Sequence, residues 1–170
     1  MKFIDPQHDR WQVAAADSGA QPAAHLLLTP AQWQAARAQA EPAAAPAAAP
    51  IGLLLPNDFD VETLAADLPR FALIALQFPK WTDGRAYSQA RLLRSRLRFA
   101  GELRATGEVL VDMLPLLQRT GFDAVQLRPD QSLDSAQRAL RFFAGHYQGD
   151  AVEPRPHFRR AAPAAARLPS

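Results

Sequence analysis

Phe71-Ala-Leu-Ile-Ala-Leu-Gln-Phe78 is an apolar run with the length of a buried β-strand, and it leads directly into the polar segment Pro79-Lys-Trp-Thr-Asp-Gly84. Helix-forming residues follow from Arg85 onward. In a parallel sheet, such a strand-to-helix junction lies at the carboxyl edge of the strands, where α/β proteins place their ligand sites. The sequence therefore predicts an α/β fold with a candidate site at this junction.

The flanking sequence continues the alternation of strands and helices. Further strands are predicted at 51–55, 102–106 and 122–127, and helices at 60–68, 86–99, 108–119 and from Ser132 to about 147. This order predicts a small open parallel sheet of about four strands with helices on both faces. Four such units would also fit half of an eight-stranded barrel that closes only as a homodimer, but we favour the open sheet. Pro115 requires the third of these helices either to kink or to begin later.

The composition divides the chain into four parts. Residues 1–40 are predicted to form an N-terminal segment with a short β-hairpin over 3–13, a short strand at 25–28 and a helix that begins at Thr29. Residues 41–50 are an Ala/Pro linker, and 51–148 form the α/β core domain. Residues 149–170 are predicted to be a disordered basic Pro/Ala tail.

Composition also excludes several classes of protein. The 170 residues include no cysteine, which excludes thiol chemistry, disulfides and cysteine-ligated metal centres. The net charge of +2 is too small for a general nucleic-acid binder, and no run is long and apolar enough for a membrane span. The four histidines lack metal-ligand spacing, and the glycine motifs of dinucleotide and P-loop sites are absent, so no metal is predicted and no cofactor is indicated. We expect a cytoplasmic protein.

The junction carries an unusual density of groups suited to an anion. Charge comes from lysine and arginine, hydroxyl donors are close by, and a glycine allows the backbone to approach a ligand. The predicted ligand-binding residues are Lys80, Thr82, Asp83, Gly84, Arg85, Tyr87, Ser88 and Arg91, with Arg104 from the neighbouring strand. Sulfite, sulfate or a phosphate-bearing ligand would suit such a site. The alternative is a structural loop in which Thr82 or Asp83 caps the helix and Arg85 pairs with Asp83 or Glu102.

A second feature is the basic helix that follows. Arg94 and Arg98 are predicted to share one helical face with Arg91, and such a face could dock an acidic partner. The alternative is a solvated helix surface with no partner.

Four segments of the chain resemble a bacterial family of domains of unknown function. They are Phe78-Pro-Lys-Trp-Thr-Asp-Gly-Arg-Ala-Tyr-Ser-Gln-Ala-Arg-Leu-Leu-Arg94, Gly101-Glu-Leu-Arg-Ala-Thr-Gly-Glu-Val-Leu110, Gly121-Phe-Asp-Ala124 and Leu127-Arg-Pro-Asp130. Genes of that family commonly lie beside those of assimilatory sulfite reductase, and its label describes an oxidoreductase with a part in sulfite reduction. The resemblance covers about residues 51–148.

This resemblance implies a role in sulfur assimilation. We expect an accessory protein that binds a small anion or sulfite reductase itself through the Lys80–Arg91 region. One alternative is an enzyme acting on a small sulfur or phosphate compound, with Lys80 or Tyr87 as acid or base. Another is a non-catalytic docking scaffold.

Overall fold

The apolar run predicted as a strand forms β5 (Phe71–Phe78), the longest strand of a parallel sheet. The computed structural model describes residues 1–15, 25–39, 50–142, 147–151 and 153–159. Within these ranges the sheet has seven strands rather than the predicted four or so. The others are β1 (Lys2–Phe3), β2 (Gln12–Val13), β3 (Leu26–Leu28), β4 (Ile51–Leu55), β6 (Glu102–Gly107) and β7 (Ala124–Val125).

The strand order explains why the sheet is open and curled. The order is β1-β7-β6-β5-β4-β3-β2, and every neighbouring pair is parallel. From β2 to β7 the strands lie side by side in chain order, as they do in a barrel. However, β1 and β2 form the two opposite edges and do not pair with each other, so the sheet stays open as predicted. Half of an eight-stranded barrel is not what forms, because one chain supplies seven strands.

The predicted N-terminal hairpin is wrong. Its two strands pair with distant parts of the chain: Lys2 and Phe3 align with Ala124 and Val125 of β7, while β2 aligns with β3. Two-residue strands carry too little pattern to specify a partner, and sequence proximity alone favours a hairpin. The strand predicted at 25–28 is confirmed as β3, and residues 1–39 thus contribute three strands to the common sheet.

Within the described ranges, helices cover one face of the sheet, not both as predicted. Strand residues such as Leu76 and Leu103 share a hydrophobic core with the buried residues of all four α-helices. The opposite face carries a smaller cluster formed by Trp11, Leu27, Leu73 and Ala75, to which none of the described helices contributes. Right-handed crossovers between consecutive neighbouring strands all lie on the same side, and this accounts for the one-sided cover.

The helices are shorter than the sequence predicts. They are α1 (Pro30–Gln39), α2 (Arg85–Arg91), α3 (Leu114–Thr120) and α4 (Leu133–Arg141). The helix predicted at 60–68 is instead two 3₁₀ turns, Val61–Leu64 and Leu68–Arg70. The helix predicted at 108–119 begins later, after a 3₁₀ turn at Val111–Met113, so Pro115 occupies its first turn and no kink is needed.

Two predicted helix boundaries are confirmed by their caps. Thr29 and Gln32 bond each other's backbone N–H groups at 3.3 and 2.9 Å in front of α1, which is the reciprocal arrangement of a capping box. The Ser132 hydroxyl accepts from the Ser135 N–H at 3.3 Å at the start of α4. Of the predicted linker, only Pro50 lies within the described residues.

Part of the predicted C-terminal tail packs on α3. The N–H of Ala151 donates to the carbonyl of Arg119 at 3.0 Å, and a 3₁₀ turn forms at His157–Arg159. Residues 160–170 lie outside the described part. No helix within the described ranges has the length and apolar character needed to cross a membrane.

Candidate functional site

The junction after β5 is held tightly at its first residue. Phe78 is completely buried, and its carbonyl accepts a 2.8 Å hydrogen bond from the N–H of Glu108, just beyond β6. Gly107 permits this approach: its φ is +91°, and a Cβ atom there would lie 2.5 Å from the Phe78 oxygen. The loop therefore starts from a fixed point on the two central strands.

Asp83, at the end of the loop, forms an ion pair with Arg85, the first residue of α2. The guanidinium of Arg85 forms a two-pronged ion pair with the carboxylate, with Nε–Oδ1 at 3.0 Å and Nη2–Oδ2 at 2.7 Å. This hydrogen bonding holds the pKa of Asp83 well below its usual range and raises the pKa of Arg85. Arg85 is therefore engaged within the loop, as in the alternative that treats this segment as structural.

The remaining polar groups of the junction face solvent. Lys80, Thr82, Ser88 and Arg91 are exposed, and none of their side chains has a hydrogen bond or ion pair with another described residue. Trp81 lies among them with 56% of its surface exposed. On α2, Ser88 and Arg91 are one helical turn apart on the side opposite the buried Ala86 and Ala90. We call this set the loop–helix surface: Lys80, Trp81, Thr82, Arg85, Ser88 and Arg91.

Tyr87 belongs to the packing beneath the loop. Its ring meets the ring of Phe78 edge-on, with centroids 5.1 Å apart, and the side chain is half-buried. Burial raises the pKa of its phenol above 10.0. A phenol whose pKa is raised is harder to ionise, which disfavours Tyr87 as a general base.

The family model described as "Bacterial protein of unknown function (DUF934)" matches residues 52–158, which is more than half of the chain. The chain belongs to this family. The match confirms the resemblance noted in the sequence, while the association with sulfite reduction stays a prediction. No curated protein matches the chain.

The matched region of this DUF934 protein contains the loop–helix surface and two buried amides that sequence reasoning missed. Asn57, which follows β4, and Gln89 on α2 are 6% and 5% exposed. The Gln89 Nε2 donates to the carbonyls of Pro56 and Phe59 at 2.9 Å, which ties α2 to the end of β4. Gln89 Oε1 and Asn57 Nδ2 are buried without a hydrogen-bond partner among the described atoms. An asparagine just past the carboxyl end of a buried strand is the signal that could have pointed to this pair.

Arg104 does not join the loop–helix surface. It aligns with Ala75 in the middle of the sheet, whereas its neighbours Leu103 and Ala105 face the helices, so its side chain lies on the helix-free face. There it is 3% exposed and pairs with Asp9 and, at 2.8 Å, with Glu102.

Arg94 and Arg98 do not form one docking face with Arg91. After α2 the chain continues as a π-helical turn over Leu92–Arg96, in which five residues rather than four separate bonded groups. Arg94 is turned inward and bonds the carbonyls of Gly121, Phe99 and Gly101 as well as Asp123. Arg98 lies past the end of the helix with a φ of +57° and remains exposed.

No group of three histidine or carboxylate side chains with the geometry of a metal site occurs within the described ranges. The junction itself offers charge, hydroxyl donors and one aromatic surface. These groups can bind an anionic surface or ligand.

Proposed function

We propose that this protein is an accessory component of assimilatory sulfite reduction that docks to an acidic surface of the reductase through its loop–helix surface. The main support is that Lys80 and Arg91 are exposed cations without an ion-pair partner in the described chain, and that the exposed Trp81 lies between them in sequence. Tryptophan and arginine are the residues most enriched among interface hot spots. The link to the reductase comes from the family resemblance.

The openness of the surface favours a macromolecular partner over an enclosed small anion. Small-molecule sites bury most of their ligand in a concave pocket. Here the charged groups stand on an exposed turn and on the outer side of a helix. Arg85, the residue best suited to grip an oxyanion, is already paired with Asp83.

The distribution of paired and unpaired charges supports the same surface. The segment from Lys80 to Arg104 contains seven basic and two acidic residues. Four of the arginines, at 85, 94, 96 and 104, have carboxylate partners in the fold. The cations left for a partner are Lys80, Arg91 and Arg98, which makes the exposed charge local and strongly positive.

Rigidity of the loop adds to this support. The loop begins at the buried Phe78, is closed by the Asp83–Arg85 pair, and continues into a helix tied to β4 through Gln89. A surface that is already ordered loses less conformational entropy on binding.

The test is binding of the purified chain to purified assimilatory sulfite reductase from the same organism, measured by calorimetry at low and high salt. We expect binding that weakens with salt and is lost in a Lys80→Glu/Arg91→Glu variant. Arg10→Glu/Arg141→Glu, which reverses the charge of two exposed arginines outside the loop–helix surface, is the matched control and should bind normally. Equal binding by all three proteins, or no binding to the reductase, would overturn the proposal. Stabilisation by sulfite, sulfate or phosphate that Lys80→Ala abolishes would instead support a small-anion site.

A further inference from the structure

A cleft of about 300 Å³ lies at the carboxyl ends of β1 and β7, apart from the loop–helix surface. Its position is the one at which parallel sheets bind ligands, and its volume is at the lower end of the range for small-molecule sites, about 300–1,000 Å³. From this cleft we infer that the protein binds a free zwitterionic α-amino acid with an apolar side chain. The inference is independent of the proposed docking function.

The floor of the cleft is apolar. Val125 of β7 is fully buried, while Phe3, Ile4 and Leu127 are half-buried around it. Leu133, at the first position of α4, lies at the side of the cleft and is 50% exposed. An apolar ligand group placed here would cover surface that the fold leaves in contact with water.

Three polar side chains line the same cleft, and each keeps unused hydrogen-bonding capacity. Asp5 accepts from the Gln7 N–H at 2.9 Å and bonds His8 Nδ1 at 2.7 Å, which leaves further lone pairs of its carboxylate. Gln131 accepts from the Val111 N–H at 3.0 Å through Oε1, and its amide also hydrogen-bonds the Asp130 carboxylate, so one N–H of Nε2 remains for a ligand.

Arg128 is the third polar group, and its guanidinium is held in one orientation. Nε and Nη2 each bond Asp130 at 2.6 Å, and Nη1 bonds Glu108 at 2.9 Å. A guanidinium has five N–H groups, so one on each Nη remains. Arg128 and Gln131 can thus together present donors to a ligand carboxylate, while Asp5 accepts from a ligand ammonium.

The charges around the cleft explain why a ligand should carry an ammonium group. The cleft is lined by one carboxylate, Asp5, and one guanidinium, Arg128. Arg128 is already paired with Glu108 and Asp130, so these four residues together have a net charge of −2. A ligand with only a carboxylate is repelled, whereas an ammonium group is attracted. The carboxylate is then positioned by hydrogen bonds from Arg128 and Gln131, and the apolar side chain lies on the floor.

The experiment is calorimetric titration of the full chain with L-leucine, L-methionine and L-phenylalanine. The leucine analogues 3-methylbutylamine, which lacks the carboxylate, and 4-methylpentanoate, which lacks the ammonium, are titrated in parallel. We expect at least one amino acid to bind and both analogues of leucine to bind roughly tenfold more weakly or worse, with the acid weakest. The dipeptide leucyl-glycine, in which the two charges are farther apart, should also bind weakly.

Two near-isosteric substitutions assign the binding to the cleft. Asp5→Asn removes the partner of the ammonium, and Gln131→Glu keeps the acceptor for Val111 but repels the carboxylate; each should weaken binding roughly tenfold. The controls Asp112→Asn and Gln137→Glu make the same changes at exposed positions outside the cleft and should bind as the wild type does. The inference is overturned if no amino acid binds at millimolar concentration, if 3-methylbutylamine binds as tightly as leucine, or if the two cleft variants bind normally.

Discussion

Arg104 on β6 pairs with Asp9 in the connection before β2, although β5, β4 and β3 separate β6 from β2 in the sheet. The contact lies on the face opposite the described helices, which residues 4–11 cross on the way from β1 at one edge of the sheet to β2 at the other. Glu102 bonds the same guanidinium at 2.8 Å. The ion pair therefore attaches the connection between the two edge strands to β6.

Replacing Arg104 by alanine should strongly destabilise the fold. The arginine is 3% exposed, and its removal leaves the carboxylate of Asp9 without an ion-pair partner and that of Glu102 with Lys2 alone. Breaking a buried pair in this way costs about 3–5 kcal/mol. Urea unfolding at neutral pH should show this loss, whereas a double variant, Arg104→Met with Asp9→Leu, should recover part of it. A loss below about 1 kcal/mol would mean that the pair does not hold the sheet together.

The same cluster predicts sensitivity to acid. Burial disfavours the charged form of Glu102, but hydrogen bonds from Arg104 and Lys2 outweigh it, and the pKa lies below its ordinary value of 4.5. A lowered folded-state pKa stabilises the fold above the unfolded value, and this contribution is lost as the pH falls through the folded value. Stability should thus decline below about pH 4.5. Unfolding measured from pH 7 to 3 should show a shallower decline in Glu102→Gln than in the wild type, and an equal decline in both would contradict this role of Glu102.

Sequence patterns predict the bounds of the strands most accurately where the chain is continuously apolar. The strands β4 and β5 were predicted with their observed bounds, because runs such as 51–55 and 71–78 are buried on both faces whatever their neighbours. The edge strands β1 and β2 are mispredicted as a hairpin, because each is only two residues long and its partner depends on the order of the whole sheet.

The candidate site was predicted in part. The junction after β5 was located correctly as the carboxyl end of a central strand, but Arg104 and Arg94 were grouped with it wrongly in space. Side chains alternate between the two faces of a strand, so Arg104 lies on the other face from Leu103 and Ala105, which both face the helices. This separation could have been predicted from the sequence. The inward orientation of the Arg94 side chain could not be predicted from the sequence. It depends on a π-helical turn, which has no simple periodic pattern of residues.

Two glycines beside the junction should respond differently to alanine. Gly107→Ala would place a Cβ 2.5 Å from the Phe78 oxygen at a φ of +91°, so we expect a loss of about 2 kcal/mol or more. Gly84 has a φ of −84°, and its nearest obstacle is a Tyr87 ring atom at 3.6 Å. Gly84→Ala should change stability by less than about 1 kcal/mol. Urea unfolding of both variants measures the difference, and similar effects at the two positions would contradict the described approach of β6 to Phe78.

Substitutions at Arg94 and Arg91 should separate the effect of an arginine on stability from its effect on docking. The Arg94 guanidinium donates to the carbonyls of Gly121 and Gly101 at 2.9 and 2.8 Å and pairs with Asp123. A lysine cannot reproduce this planar set of donors, so Arg94→Lys should cost about 2–3 kcal/mol by leaving carbonyls unpaired. Arg91→Lys changes only an exposed side chain and should leave stability within about 0.5 kcal/mol of the wild type.

Binding gives the second half of this comparison. The two variants to compare are Arg94→Lys and Arg91→Glu, at a temperature where both are folded. Arg94→Lys should bind sulfite reductase as the wild type does, because the charge at position 94 faces contacts inside the fold. Arg91→Glu should retain stability and lose affinity. If Arg94→Lys instead weakens binding without lowering the midpoint of unfolding, the arginine belongs to the docking surface and its contacts with Gly121 and Gly101 are dispensable for the fold.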